Sequence, residues 1–147
     1  MISVLLVDDQ ANVLNILLYL LEGADDIQVL ATASSGGEAM TQATSNCPDI
    51  VVMDVSMPGM NGIEAARQIL LLCPLARVLM LSILDTQEYI HRALDVGALG
   101  YILKEKASKE LLTGIRTLFG GKHFFSQNIT GIAEKYLHEK GKDSQAA

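Results

Sequence analysis

The sequence is poor in the residues that build zinc sites and disulfide frameworks, and it lacks a long apolar run. It has two cysteines, three histidines and no tryptophan among 147 residues. The three histidines, His91, His123 and His138, share no metal-ligand spacing, so a zinc site is not expected. The longest apolar run, Val13 to Leu21, is shorter than the ~18 residues that a membrane span needs, and no association with a membrane is expected.

Basic residues are also scarce, with 11 lysines and arginines against 17 aspartates and glutamates and a formal net charge of −6. A surface of this sign disfavours nucleic acid or anionic membrane as a partner through bulk electrostatics, and it is compatible with a bound cation. The hydrophobic content of 50% and the charged content of 19% are typical of a globular chain, and the length fits one domain.

The two cysteines, Cys47 and Cys73, lie at or near the ends of apolar helical stretches. The sequence begins without the pattern of a secretory signal peptide. We therefore predict reduced thiols in a protein of the cytoplasm.

Five apolar stretches typical of strands alternate with five stretches of helical periodicity. This alternation predicts an α/β fold, a flavodoxin-like (βα)5 doubly wound parallel sheet. The second strand is the most polar and belongs at an edge, which favours the strand order 2-1-3-4-5. The predicted strands cover about 2–7, 27–32, 50–53, 78–81 and 99–103, and the polar residues predicted to cap the second to fifth helices are Ser35, Asn61, Asp85 and Ser108.

The regular pattern stops at Gly121, so we divide the chain into a domain of residues 1–121 and a tail or linker of residues 122–147. The tail has one possible short helix, about Ile129 to Glu139, and the polar residues after it are expected to fray. Phe124 and Phe125 can cover the domain or contact a partner, and core cover is the favoured interpretation.

Charged and hydroxyl side chains follow four of the predicted strands. Asp8 and Asp9 follow the first, Asp54 the third, Ser82 the fourth and Lys104 the fifth. Each is ordinary by itself, as a turn acid, a helix cap, a small polar residue or a surface lysine. Because the carboxyl ends of parallel strands share one edge of the sheet, all five are expected to meet at the switch point beside the first and third strands.

Three neighbouring carboxylates repel one another unless a cation lies between them, and oxygen ligands select Mg²⁺ or a similar hard ion. An ionised Asp54 beside such an ion is a usable oxygen nucleophile. Lys104 can pair with an oxygen of a phosphoryl group, and Ser82 can donate a hydrogen bond to another. The set therefore favours formation of an aspartyl phosphate at Asp54.

Four stretches, in order along the chain, resemble the motifs of the receiver domain of bacterial two-component response regulators: LLVDDQ, DIVVMDVSMPGMNG, VLMLS and GALGYILK. The resemblance implies that Asp54 accepts a phosphoryl group from a histidine of a sensor kinase. It implies that Mg²⁺ (or Mn²⁺) is held by Asp9, Asp54 and the backbone carbonyl of Ser56, with Asp8 acting mainly through a bound water. It also implies that Ser82 and Tyr101 move together as the switch.

The region from Asp85 to Ser126 resembles the NarL/LuxR-type subfamily, in which proline is commonly absent after the site lysine, and Glu105 stands there. Proteins of that type carry a helix-turn-helix DNA-binding domain after the receiver, and the tail is too short to hold one. The resemblance implies DNA contact only through such a missing domain, and a homodimer formed on phosphorylation. A free-standing receiver, acting in a phosphorelay or as a protein-binding module, is the alternative.

Three other functions fit the residues less well. A phosphatase of the haloacid dehalogenase type needs a second aspartate two residues after Asp54, where Ser56 stands. A flavodoxin needs a phosphate-binding loop after the first strand, where Asp8 and Asp9 would repel the phosphate. A binding module independent of phosphorylation leaves Asp54 and Lys104 without a use. We therefore expect a phosphoacceptor that assists its own phosphorylation and dephosphorylation, and no independent enzyme.

Overall fold

Strands and helices alternate along the chain in a computed structural model, which describes the backbone of residues 1–146 and the side chains of residues 1–141. Continuous apolar stretches form the strands, and stretches with one apolar face form the helices. The elements in chain order are β1 Ile2–Val7, α1 Ala11–Glu22, β2 Ile27–Ala33, α2 Gly36–Ser45, β3 Ile50–Asp54, α3 Gly62–Leu72, β4 Arg77–Ser82, α4 Gln87–Asp95, β5 Gly100–Leu103, α5 Ala107–Phe119, β6 Phe124–Phe125 and α6 Thr130–Ala146.

The strands form one parallel sheet in the order β2-β1-β3-β4-β5-β6. The predicted doubly wound fold and the order of its first five strands are confirmed, with the polar strand β2 at one edge. The register aligns Val7 with Met53, Asp54 with Leu81, and the last residues of β4 and β5 with each other. The central strands therefore end at one level, and the residues that follow them share one edge of the sheet.

The two faces of the sheet carry separate apolar cores because side chains alternate along each strand. On β3, Ile50 and Val52 face a core that α1 and α5 cover, whereas Val51 and Met53 face a core that α2, α3 and α4 cover. All four side chains are fully buried, and each contributes roughly 1.5–3 kcal/mol by leaving water. Among the described residues, no helix combines the length and apolarity that crossing a membrane requires.

Two of the predicted helix caps are correct and two are wrong. The side chains of Ser35 and Asn61 accept hydrogen bonds from the backbone N–H groups three residues later, at the starts of α2 and α3. The cap of α4 is Thr86 rather than Asp85, and it makes no side-chain bond. A short 3-10 turn after β5 leads directly into α5, so Ser108 lies inside the helix instead of before it.

The segment after Gly121 joins the same sheet and the same core. Its two phenylalanines form β6, which pairs with β5, and Phe124 and Phe125 pack against opposite cores. This strand was missed because two residues are too few to show a period. The predicted helix exists as α6 and is longer than expected, because it continues through residues 141–146, which were predicted to fray. Residue 147, also predicted to fray, lies outside the described residues. The division of the chain at residue 121 stays a prediction.

α6 packs against α4 through an aromatic stack, a hydrogen bond and an ion pair. The ring of Tyr136 stacks on that of His91 with 3.8 Å between centroids. The hydroxyl of Tyr136 donates a hydrogen bond to Asp95, and Lys140 forms an ion pair with the same carboxylate. Ala133 of α6 is fully buried in the core on this face of the sheet. The helix therefore covers part of the surface that α4 and β5 form.

The prediction of two free thiols is wrong, because Cys47 and Cys73 form a disulfide. That prediction rested on the expected compartment and not on geometry. Pro48 separates α2 from β3, and Pro74 stops α3, so both cysteines lie at the edge of the sheet where β3 and β4 begin. Their Cα atoms are 5.7 Å apart, within the range that a disulfide spans.

Candidate functional site

Three aspartates meet where β1 and β3 end. Asp54 is the last residue of β3, and Asp8 and Asp9 directly follow β1. One carboxylate oxygen of each lies within 4.8 Å of those of the other two. Asp8 and Asp54 are almost fully buried, at 0% and 2% exposure, while Asp9 faces solvent. The structure therefore brings the three predicted acids together on one rim.

Backbone N–H groups hold one oxygen of each buried acid. The N–H of Gln10 donates to Asp8 Oδ1 at 2.9 Å, and the N–H of Ser56 donates to Asp54 Oδ1 at 3.1 Å. Within the described part of the chain, the other oxygen of each, Oδ2, has no hydrogen-bond partner. Each acid is thus oriented by one oxygen and presents the other toward the rim.

Lys104 supplies the positive charge of the site from the end of β5. Its Nζ lies 2.9 Å from Asp8 Oδ2 and 3.4 Å from Asp54 Oδ2, close enough for ion pairs with both. Burial by itself would lower the pKa of Lys104, but contact with Asp8 and the charge of Asp54 outweigh it and raise that pKa above its usual value. Lys104 therefore stays charged between two carboxylates that would otherwise repel each other.

The environment of Asp54 raises its pKa from 3.8 to about 6. Burial is the largest cause, and the neighbouring charge of Asp8 is the second. Lys104 and the N–H of Ser56 act in the opposite direction without cancelling these effects. A carboxylate at this position gains from any additional cation that comes close to it.

The donor set fits a hard divalent cation. Two buried acids, whose Oδ2 atoms lie beside Lys104, and one exposed acid supply the oxygen ligands that Mg²⁺ takes, and the exposed side leaves room for water. Asp9, Asp54, Ser56 and Lys104 line one open cleft of about 590 Å³, which provides the space that such an ion and a bound anion need.

Ser82 and Tyr101 connect this rim to the segment between β4 and α4. Ser82 is fully buried at the end of β4, and its Oγ accepts a hydrogen bond from the N–H of Leu84 at 2.9 Å. Tyr101 is also fully buried, and its hydroxyl donates to the carbonyl of Leu84. Leu84 thus donates a hydrogen bond to Ser82 and accepts one from Tyr101, the two predicted switch residues.

Gly62, the first residue of α3, is a site residue that the sequence analysis did not identify. A Cβ at this position would overlap the backbone carbonyl oxygen of Asp54, so only glycine lets α3 begin this close to the end of β3. The N–H of Gly62 also donates to the carbonyl of Val55 at 2.9 Å. The one sequence signal was its position directly after the helix cap Asn61.

The fold, the rim and its order along the chain can be compared with known proteins. A profile of the family described as response regulator receiver domain matches residues 4–116, which is most of the chain. The chain belongs to the response regulator receiver family. It is a receiver of the NarL/LuxR type, with the flavodoxin-like fold of that family.

Two of the similar proteins are described as regulators. It is 37% identical over 142 residues to the transcriptional regulatory protein MctR of Rhizobium johnstonii, an alignment that covers 97% of this chain and 66% of MctR. It is 32% identical to a two-component response regulator of the LuxR family from Aurantimonas sp., covering 92% of this chain and 96% of that one, with a TM-score of 0.86. The chain thus spans about two thirds of the length of the curated relatives it matches.

A third similar structure is the CheX–CheY–BeF3–Mg complex of Borrelia burgdorferi. The two chains are 28% identical, and the alignment covers 80% of this receiver and 89% of the matched chain. They superimpose with a TM-score of 0.74. That complex is described as containing beryllofluoride and magnesium.

Proposed function

We propose that this receiver is the phosphorylation-controlled switch of a two-component system, with Asp54 as the acceptor of a phosphoryl group from a histidine of a sensor kinase. The observation that carries the proposal is the buried pair of Asp8 and Asp54, whose Oδ2 atoms lack hydrogen-bond partners within the described residues and lie within ion-pair distance of Lys104. Buried carboxylates without full pairing destabilise a fold, and such groups concentrate at functional sites.

In the proposed reaction, a carboxylate oxygen of Asp54 forms a bond to phosphorus while the bond between phosphorus and the kinase imidazole nitrogen breaks. The electron pair of that bond stays on the imidazole nitrogen, which takes up a proton. Lys104 pairs with one phosphoryl oxygen, because its Nζ already lies 3.4 Å from Asp54 Oδ2. Ser82, at the end of the neighbouring strand, donates a hydrogen bond from its hydroxyl to a second oxygen once its bond with the N–H of Leu84 is broken.

The acid set has a second use in this proposal. Asp9, Asp54 and the backbone carbonyl of Ser56 would hold Mg²⁺ (or Mn²⁺), with Asp8 acting through a bound water. When bound, such an ion neutralises charge on the transferring oxygens. The magnesium in the similar CheY complex and the close approach of the three carboxylates both support this assignment.

The proposed switch passes from Ser82 to Tyr101 through Leu84. If Ser82 turns toward the phosphoryl group, the bond from Leu84 N–H is lost, and Tyr101 loses its fixed acceptor when the segment shifts. The same segment leads into α4, against which α6 packs. Phosphorylation would thereby alter the face formed by α4, β5 and α6, and favour pairing of two receivers.

The proposed output is transcription, through a DNA-binding domain outside this sequence and in a protein of the cytoplasm. The support is the similarity to MctR, described as a transcriptional regulatory protein, of which the matched part is 66%. In this function the receiver catalyses only its own phosphorylation and dephosphorylation, so no independent substrate is turned over.

The decisive experiment is incubation with Mg²⁺ and acetyl phosphate, followed by intact-mass measurement and a phosphate-affinity gel. We expect one phosphoryl adduct on the wild-type chain and none on Asp54→Asn. Asp49→Asn is the matched control, because it changes the same residue type at the other end of β3, and it should be labelled normally. Labelling of Asp54→Asn, or no adduct on a folded wild-type chain, would refute the assignment of Asp54.

A further inference from the structure

The disulfide closes the part of the chain that carries the proposed phosphoacceptor. Cys47 lies between α2 and β3, and Cys73 is the C-terminal cap of α3. The bond joins residues 26 apart and thus encloses β3, Asp54, the loop after it and all of α3. It lies at the edge of the sheet where β3 begins, opposite the acid rim.

The two sulfur atoms differ in their access to solvent. Cys47 is exposed, whereas Cys73 is buried at 2% exposure. An external thiolate can therefore approach Cys47 and make Cys73 the leaving group. The chain can also accommodate the reduced form, because Cys73 Sγ lies 3.5 Å from the carbonyl oxygen of Ala43, which can accept the hydrogen bond of a thiol.

The segment enclosed by the disulfide also has contacts that do not depend on that bond. Ser3 donates its backbone N–H and its hydroxyl to the Asp49 carboxylate, beside the start of β3. The N–H of Arg77 donates to the carbonyl of Asp49 at 2.9 Å. Since none of these hydrogen bonds involves a cysteine, we expect the reduced chain to keep the same fold, with the disulfide as an added constraint.

We propose that Cys47 and Cys73 form a reversible thiol–disulfide site, opened by thiol reductants at Cys47 and closed by disulfide oxidants. In opening, a reductant thiolate forms a bond to Cys47 Sγ, the protein S–S bond breaks, and its electron pair goes to Cys73 Sγ, which takes up a proton. A second reductant thiolate then displaces Cys47 as its thiolate. In sum, one protein disulfide and two thiols give two protein thiols and one reductant disulfide, and closing is the reverse.

The redox state sets how tightly α3 is held at the end far from Asp54. A cross-link stabilises chiefly by restricting the unfolded chain, and here it also anchors the last turn of α3. We expect oxidation to raise the melting temperature by roughly 5 to 15 °C. Amide hydrogen exchange at the C-terminal end of α3 should be slower in the oxidised chain, while exchange in α5, which lies on the other face, should be unchanged.

The test equilibrates the wild-type chain in mixtures of reduced and oxidised dithiothreitol, traps free thiols with N-ethylmaleimide, and measures mass and melting temperature. We expect no label on the oxidised chain, two labels gained together on reduction, and the lower melting temperature after reduction. Incubation with glutathione should place the mixed disulfide on Cys47. Two free thiols under every oxidising condition, a bond found only between chains, or a mixed disulfide on Cys73 would overturn the proposal.

Two variants distinguish the effect of the disulfide from that of the cysteine side chains. Cys47→Ser keeps the buried thiol and lacks the bond, so its melting temperature should match that of the reduced wild type under all redox conditions. Cys73→Ala tests the buried partner in the same way. A persistent redox dependence of melting in Cys47→Ser would contradict the assignment of the pair. The comparison of oxidised with reduced wild type needs neither variant.

Discussion

Strand β3 begins and ends beside an aspartate, and the two have opposite surroundings. Asp49, directly before the strand, accepts hydrogen bonds on one oxygen from the backbone N–H of Ser3 at 2.9 Å and from its hydroxyl at 3.0 Å. Asp54, at the other end, has one oxygen without a hydrogen-bond partner within the described residues, and its pKa is raised to about 6. Four residues of one strand thus separate an acid that stabilises the fold from an acid that weakens it.

The difference shows that the two ends of one parallel strand can have opposite effects on stability. Where β3 begins, polar groups pair with each other, and a disulfide adds a covalent constraint. Where it ends, burial and the charge of Asp8 raise the pKa of Asp54, and its Oδ2 lies within ion-pair distance of Lys104. Local energetic rules are broken at functional sites and satisfied elsewhere, and the two ends of β3 allow this to be measured.

The largest expected effect is that of Gly62→Ala, which adds a Cβ against the carbonyl oxygen of Asp54. Because the neighbour is backbone and cannot move aside, we expect the free energy of unfolding to fall by more than about 3 kcal/mol. Gly37→Ala in α2 is the control, since nothing lies within 4 Å of its added Cβ, and it should stabilise the helix slightly. Equal effects of the two changes in urea unfolding would contradict the crowding of this end of β3.

The second-largest effect is expected from removing the positive charge of Lys104. Lys104→Met takes away the group that lies within reach of both Asp8 and Asp54, and we expect adduct formation from acetyl phosphate to slow by roughly 100-fold. The rate can be followed by intact mass over time. The exposed lysine in α5, Lys109→Met, should leave the rate unchanged, and a loss of rate in both variants would point to general charge rather than to the rim.

Asp54→Asn should stabilise the metal-free protein at neutral pH and not at low pH. The pKa of Asp54 is about 6 in the folded chain against 3.8 as the reference value, so the folded state binds this proton more tightly. Its contribution to stability is fully present below about pH 4 and is lost as the pH rises through 6. In a chelator, the variant should exceed wild type by roughly 2 to 3 kcal/mol at pH 8. The same difference at pH 4 and pH 8 would rule out this origin.

The smallest effect is expected at the paired acid. Asp49→Ala leaves the backbone N–H and the hydroxyl of Ser3 without their acceptor, and it should lower the free energy of unfolding by about 1 to 2 kcal/mol. Phosphoryl labelling of the folded variant should stay normal. A loss of phosphoryl labelling in the variant while it remains folded would mean that the two ends of β3 are not separate in function.

Much of the rim was predictable because of a simple geometric rule. Apolar runs that stop at Asp8, Asp54, Ser82 and Lys104 predict strands, and parallel strands bring their carboxyl ends to one edge. The caps at Ser35 and Asn61 were equally accessible, since each bond joins residues three apart in the sequence. What these features share is that local pattern and one topological rule suffice to place them.

Other features depend on contacts between distant segments. Gly62 looks like any turn glycine until its neighbour, the carbonyl of Asp54, is known. The two residues of β6 gain their strand conformation by pairing with β5, and the capping bond of α5 was wrongly placed because a 3-10 turn precedes it. For Gly62 and β6 the deciding partner is a backbone group eight or more residues away, and for α5 it is a local turn that the residue pattern does not signal.

The sequence by itself determined the order of elements, the acids and lysine at the strand ends, and the family of the chain. These follow from hydrophobic periodicity and from residues a few positions apart. Only the tertiary structure decided which aspartate next to β3 is paired and which is left with an open oxygen, and that Cys47 meets Cys73. The physical reason is that burial, pKa and disulfide formation depend on distances across the folded chain, which residue type and spacing do not specify.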